Sequence, residues 1–211
     1  MKDLFYFLIS YLIGAIPFSF ILPKIFVKKN VFEIGYKKAS ASNVIMYADK
    51  KIGILAAILD LGKGILVAKL SAGLSFFSQA LCGILAVVGH NWSVFLKGGG
   101  GRGIAVFVGF FAAKNWTIFY LSFLPTLLII LLLNSPIATI FMVLIGACLS
   151  IYFGNQTIFL FSLICLFPIF LKRLSPIKEI SLSNFELIKN RLLYDRDEKA
   201  DFLWRKLISR K

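Results

Sequence analysis

The sequence predicts an all-α, polytopic membrane protein of about seven transmembrane helices, one of them a short partial helix. Three observations carry that prediction. Hydrophobic residues make up 59% of the 211-residue chain, and the mean hydropathy is +0.85. Charged residues are only 16%, where a soluble domain carries about a quarter. The charges that do occur lie between and after apolar segments, as topology requires. The formal charge of +14 is therefore no sign of nucleic-acid binding, which calls for a basic face on a soluble fold.

The first apolar segment, 4–22, follows Met1-Lys2-Asp3 and lacks the compact basic start and small-residue cleavage site of a signal peptide, so it is read as a retained span. A long polar connection, 27–51, leads to the segment 52–73, which carries Asp60, Lys63 and Lys69. Segment 76–95 ends in a glycine run, and 104–113 after it is too short to cross about 30 Å of hydrocarbon unaided. A partial helix shielded by its neighbours fits that place and leaves a helix end available to a ligand at membrane depth. Segments 116–133, 136–153 and 157–171 complete a membrane domain of residues 1–171, and 172–211 form a basic tail.

The basic residues set the orientation. The connection after the first span holds Lys24, Lys28, Lys29, Lys37, Lys38, Lys50 and Lys51; the connection after the third holds Lys97 and Arg102; the tail holds eleven more. On the other side stand only Lys2 and Lys114. The positive-inside rule places the N-terminus outside and both the glycine run and the tail in the cytoplasm.

The stretch with most chemistry is Gly89-His90-Asn91-Trp92-Ser93-Val94-Phe95-Leu96-Lys97-Gly98-Gly99-Gly100-Gly101-Arg102-Gly103, which carries the chain's only histidine. Glycine amides can wrap an anion closely, Lys97 and Arg102 add charge, and a helix opening after Gly103 would point its positive end at the ligand. A flexible linker is the competing reading. Asp60 and Lys63, three apart, share a helix face and can pair. Charges inside a span usually face a polar interior, so the pair is expected near the site, with a structural ion pair as the alternative; Lys69 can snorkel to the outer surface. The loop Gly35-Tyr36-Lys37-Lys38-Ala39-Ser40-Ala41-Ser42-Asn43 offers hydroxyls and amides for a ligand, or is an ordinary polar loop. Cys82, Cys148 and Cys165 lie in apolar segments with no metal spacing and are expected as buried free thiols. In the tail, Phe202, Leu203, Trp204, Leu207 and Ile208 among basic residues suggest an interfacial helix, against a solvated tail.

The order of these pieces resembles the bacterial acyl-phosphate:glycerol-3-phosphate acyltransferase family. Gly14-Ala15-Ile16-Pro17-Phe18-Ser19, then Ala41-Ser42-Asn43-Val44, then Asp60-Leu61-Gly62-Lys63-Gly64, then Gly89-His90 and the glycine run carry the likeness, which covers roughly Tyr11 to Val106. The second family motif falls on Gly89, His90, Phe95, Gly100, Gly101, Gly103 and Ala105. Arg102 stands where the family has lysine, which keeps charge but not shape, and Gly99 stands at the other lysine position, with Lys97 upstream. Of the first motif only Ala41 and Asn43 match, while Tyr36, Lys38, Ser40 and Met46 replace its serine, asparagine, glycine and arginine. The third motif survives as Arg191-Leu192 followed by Asp197 or Glu198. Ser135 is the counterpart of a serine expected before the sixth span.

The resemblance implies a bacterial inner-membrane enzyme that moves a fatty acyl group from acyl phosphate to the 1-hydroxyl of glycerol 3-phosphate, giving lysophosphatidic acid, with no metal or other cofactor. The partners it implies are those two substrates and the lipid bilayer, with no nucleic acid; the oligomeric state is left open, a monomer included. His90 and Arg102 are then the catalytic candidates. Lys97, Gly98, Gly99, Gly100, Gly101, Gly103, Lys37, Lys38, Ser40, Ser42, Asn43, Asp60, Lys63 and Ser135 are the candidates for holding phosphate or substrate. The departures in the first and third motifs keep two alternatives in view: another phosphorylated acceptor, or a non-catalytic lipid- or phosphate-binding membrane protein. A transporter is disfavoured by the single intramembrane charge pair and the absence of an evident inverted repeat.

Overall fold

The computed structural model describes residues 2–176, 180, 184–195 and 197. Among them there is no strand; the chain runs α1 (Lys2–Ala15), α2 (Phe18–Phe26), α3 (Ala41–Tyr47), α4 (Lys50–Leu70), α5 (Phe76–Asn91), α6 (Ile104–Lys114), α7 (Trp116–Leu132), α8 (Ser135–Tyr152), α9 (Gln156–Arg173) and α10 (Phe185–Tyr194). By length and composition, Lys2–Phe26, Phe76–Leu96, Ser135–Tyr152 and Gln156–Arg173 can each cross a membrane, while Ile104–Lys114 and Trp116–Leu132 are shorter apolar helices. The short α6 agrees with the partial helix expected there.

The chain falls into two compact units, Met1–Trp116 and Thr117–Lys211. In the first, the helices pair through glycines. A side chain on Gly64 would strike the Val106 carbonyl and one on Gly109 the Leu61 carbonyl, so α4 and α6 approach backbone to backbone from both sides. Gly14 against the Ala86 carbonyl and Gly89 against the Tyr11 carbonyl do the same for α1 and α5. Close approach of this kind replaces the hydrophobic drive that lipid-embedded helices lack.

The first apolar segment is one run in sequence but two helices in space. Pro17 has no N–H to continue the α1 ladder, and the chain restarts at Phe18. The connection 27–51, read as polar loop, contains α3, a helix too brief to show a period. Ser40 caps it by accepting from the Asn43 amide, and Lys29 Nζ donates to the Tyr47 and Ala48 carbonyls at 3.1 and 3.2 Å. Val31, Ala39 and Val44 are buried beneath it against Phe20, Phe32 and Leu96.

In the second unit α8 packs on α9, and Ser122 and Thr126 of α7 and Thr139 of α8 bond within their own helices, reaching the carbonyls four residues back at 2.7, 2.7 and 2.8 Å. Arg173 donates to the Pro136 and Leu192 carbonyls at 3.0 Å each. Arg191 donates to the Leu174 and Pro176 carbonyls and pairs with Asp197 at 2.7 Å, fastening α10 to the end of α9. That helix lies in the basic tail, ahead of the segment read as an interfacial helix or solvated chain. The segment suggested as an interfacial helix, 202–208, and Glu198 lie outside the described residues. Cys82 and Cys165 are buried free thiols as expected, but Cys148 is exposed: its face of α8 points outward, where the apolar surround of a spanning helix accepts a thiol without burial in protein.

Candidate active site

The site is assembled at the end of the first unit where α1 stops, α5 stops and α6 starts. Breaking α1 at Pro17 leaves the carbonyls of Gly14, Ala15 and Ile16 without helical partners. Side chains from elsewhere take them. Lys63 Nζ donates to the Gly14 carbonyl at 3.3 Å and to the Ile16 carbonyl, and Ser93 Oγ donates to the Ala15 carbonyl at 2.6 Å. Lys63 also pairs with Asp60 Oδ1 at 2.6 Å and lies 4.9 Å above the centre of the Phe18 ring. Asp60 Oδ2 accepts from Ser19 Oγ at 3.0 Å, and Asp60 Oδ1 is 3.7 Å from His90 Nδ1. The pair expected from the sequence is thus present, next to the histidine. The pair caps the broken end of α1 and stands beside His90.

The glycine run is an ordered turn rather than a linker. Ser93 N donates to the Gly99 carbonyl, Gly98 N to the Ser93 carbonyl and Gly99 N to the Leu96 carbonyl, each at 2.9 Å, and Gly101 N donates to the His90 carbonyl at 3.1 Å. The Tyr11 hydroxyl donates to the Trp92 carbonyl at 2.8 Å, tying the turn to α1. In this structure the amides of Gly98, Gly99 and Gly101 are bonded within the loop itself. What does point at the site is the start of α6. Gly103, at φ 73°, is its N-cap and supplies no side-chain cap, so the helix's first amides and the positive end of its dipole are left for a ligand beside Arg102. A side chain on Gly103 would meet Asn91 Oδ1 at 2.7 Å; one on Gly101 would strike His90 Nε2 and come within 2.8 Å of the Ala39 carbonyl.

That last contact brings the 35–43 loop against the glycine run. Asn43 is fully buried and works for the loop: its carbonyl oxygen accepts from Tyr36 N at 2.9 Å, and its amide reaches the Val31, Ile34 and Lys38 carbonyls at 2.9, 3.3 and 3.0 Å. With its polar atoms so committed, Asn43 shapes the loop in this structure rather than facing a ligand. Ser40 Oγ is 3.2 Å from Ser42 Oγ, Lys38 is half-buried, and Lys37 is exposed with φ 51°. Lys97 is exposed at the tip of the glycine turn. Ser135, an exposed residue opening α8, belongs to the unit Thr117–Lys211.

Two cavities meet here. A polar one of about 10 Å3 is lined by Gly14, Ala15, Ser19, Ala39, His90, Ser93, Gly100 and Gly101 together with Ile16, Pro17 and Leu96. An apolar one of about 330 Å3 is lined by Ile16, Pro17, Phe20, Ile21, Phe95 and Leu96. They share Ile16, Pro17 and Leu96. Ser19, Ser93 and Tyr11 were not singled out from the sequence, since each acts on a residue 41 to 81 positions away.

The family model described as glycerol-3-phosphate acyltransferase matches residues 4–181. The chain belongs to the glycerol-3-phosphate acyltransferase family. Among similar curated proteins of that name, number 4 of Dehalococcoides mccartyi (strain CBDB1) is 32% identical over 209 residues, covering 92% of this chain and 89% of its own. That of Prochlorococcus marinus (strain MIT 9515) is 33% identical over 179 residues, covering 82% and 90%. The fold is that of PlsY, an integral membrane glycerol 3-phosphate acyltransferase: its glycerol 3-phosphate form superposes with a TM-score of 0.78 at 24% identity, covering 98% of this chain and 99% of that one. Its lysophosphatidic acid form gives 0.76 at 23% identity. The described residues of this family member are helical with no strand, and the matched span includes both the glycine run and the Asp60–Lys63 pair.

Proposed function

We propose that the protein transfers a fatty acyl group from acyl phosphate to the 1-hydroxyl of glycerol 3-phosphate, releasing lysophosphatidic acid and inorganic phosphate at the cytoplasmic face of a bacterial inner membrane. One observation carries the reading: an apolar cavity of about 330 Å3 adjoins a polar one of about 10 Å3 at the glycine turn, both lined by Ile16, Pro17 and Leu96. An acyl donor has that shape, a long apolar chain ending in a carbonyl next to an anion. The smaller cavity has room for about one oxygen atom or water. The family supplies the acceptor.

Acyl phosphate is already activated, so the protein mainly has to hold two anions close and in line. The acceptor oxygen bonds to the acyl carbon, the bond from that carbon to the phosphate oxygen breaks, and the hydroxyl proton leaves with inorganic phosphate. Arg102 and the α6 amides stabilise charge on the donor's phosphate and carbonyl. Lys37, Lys38, Ser40 and Ser42 on the adjoining loop face the acceptor's phosphate, with Lys97 at the rim. The N-terminus lies outside, the 172–211 tail in the cytoplasm, and about seven helices cross or enter the bilayer. No metal or organic cofactor takes part.

The direct test is transfer from palmitoyl phosphate to glycerol 3-phosphate by purified protein, with Gly101→Val as control. No product above that control refutes the reading. Tyr36, Lys38, Ser40 and Met46 replace family residues on the acceptor loop, and this specific departure supports a second reading, a different phosphorylated alcohol as acceptor. Product formed from another such alcohol, and not from glycerol 3-phosphate, would select it.

A further inference from the structure

The buried cluster beneath the 35–43 loop, Val31, Ala39 and Val44, packs against Phe20 and Leu96. The same two side chains line the apolar cavity, and Ala39 and Leu96 line the polar one. Phe20 is held from two further directions: its ring centre is 5.8 Å from that of Phe32, and Lys24 Nζ lies 5.3 Å from it. Leu96 is tied to the glycine turn, its carbonyl accepting from the Gly99 amide at 2.9 Å. Both side chains are half-buried, and neither carries a group that could take part in the chemistry. They form a wall, with the cavity read as the acyl chain's on one side and the floor of the acceptor loop on the other.

We infer that Phe20 and Leu96 couple the two substrates: an acyl chain lying against them steadies the loop on their far side, so the acceptor binds more tightly to protein that already holds a long-chain donor. The inference rests on the acyl-transfer reading, which supplies the two ligands. Its physical basis is the cost of ordering side chains. A chain packed on one face of the wall restricts the rotamers of Phe20 and Leu96, and the loop cluster then closes on groups already ordered. Linkage makes the effect reciprocal, so the acceptor tightens the hold on the donor by the same factor. Chain length then appears in the KM of the other substrate. A cavity that only anchored the donor would change the donor's KM alone.

Two measurements decide it. In the first, the KM for glycerol 3-phosphate is taken at saturating palmitoyl phosphate and again at saturating octanoyl phosphate. The short chain should raise it about threefold or more in the unaltered protein, and the difference should shrink below about 1.5-fold in Phe20→Leu and in Leu96→Ala. Equal KM values with both donors overturn the inference, and so does a difference that survives undiminished in both variants. The second needs neither turnover nor substitution: hydrogen exchange of the protein in nanodiscs with palmitoyl phosphonate, whose carbon–phosphorus bond does not transfer, against octanoyl phosphonate. Exchange across residues 31–44 should slow about threefold with the long chain only. Slowing confined to the cavity walls, 16–21 and 95–96, overturns the coupling and leaves the acyl-chain reading of the cavity standing; slowing in neither place overturns both. Should the unaltered protein transfer no acyl group at all, the functional reading has failed, and the exchange measurement alone judges the wall.

Discussion

Replacing Asn43 by alanine should loosen the acceptor loop while leaving the helices beneath it intact. The side chain accepts one backbone amide and reaches three backbone carbonyls from a fully buried position. Its amide has two hydrogens for those three carbonyls, so the change removes about three effective hydrogen bonds, each worth about 1 kcal/mol net, or about 3 kcal/mol in all. Since 1.4 kcal/mol is a factor of ten, the loop would open about a hundredfold more often. The loss is local, because Val31, Ala39 and Val44 form a small cluster of their own. Hydrogen exchange read by mass spectrometry on the solubilised protein should therefore speed up about a hundredfold across residues 31–44 and stay unchanged in α5 and α6. The KM for glycerol 3-phosphate should rise with it. Acceleration below about threefold would mean that water or the apolar cluster holds the loop, and that the hydrogen-bond reasoning is wrong.

Other perturbations separate the contributions of packing, charge and site geometry. Gly64→Ala, which drives a methyl into the Val106 carbonyl, should destabilise by about 1–3 kcal/mol in thermal unfolding, whereas Gly62→Ala, with open space around it, should be neutral or stabilising by up to about 1 kcal/mol. Gly101→Ala should cost at least about tenfold in kcat together with about 1–3 kcal/mol of stability, since its methyl meets both His90 Nε2 and the backbone carbonyl of the buried Ala39. Lys63→Met alone leaves Asp60 buried without its cation and should destabilise by about 3–5 kcal/mol; adding Asp60→Leu should restore most of the stability and none of the activity.

Much of the site was legible because its residues are local in sequence. The spacing of Asp60 and Lys63 sets them on one helical face, and the brevity of 104–113 matches the short α6, which starts directly after the glycine turn. The bonding of the glycine turn was not legible. From composition alone four glycines offer amides, and only the folded turn reveals that Gly98, Gly99 and Gly101 spend theirs on Ser93, Leu96 and His90. Ser19 and Ser93 escaped notice for a different reason: a serine carries no period, and its partner is chosen by the packing of helices far apart in the chain. The α3 helix was missed because Ala41–Tyr47 spans about two turns, too few for a pattern to repeat. The internal bonds of Asn43 were not legible either, because an exposed polar loop and an internally bonded one have the same composition.

The interruption at Pro17 also bears on how the protein is made. As the chain emerges, α1 enters the bilayer before any of the groups that later occupy its terminal carbonyls exist: Lys63 follows Gly14 by 49 residues, and Ser93 follows Ala15 by 78. An unpartnered carbonyl in hydrocarbon costs several kcal/mol. Pro17 sets the bend from the start, but the occupied carbonyls beside it belong to the finished protein and not to the nascent one. The leading segment has to wait, near the headgroups or beside the insertion machinery, until two later helices arrive. Biogenesis of this family member then runs backwards through its own sequence, with the first helix among the last to reach its final shape.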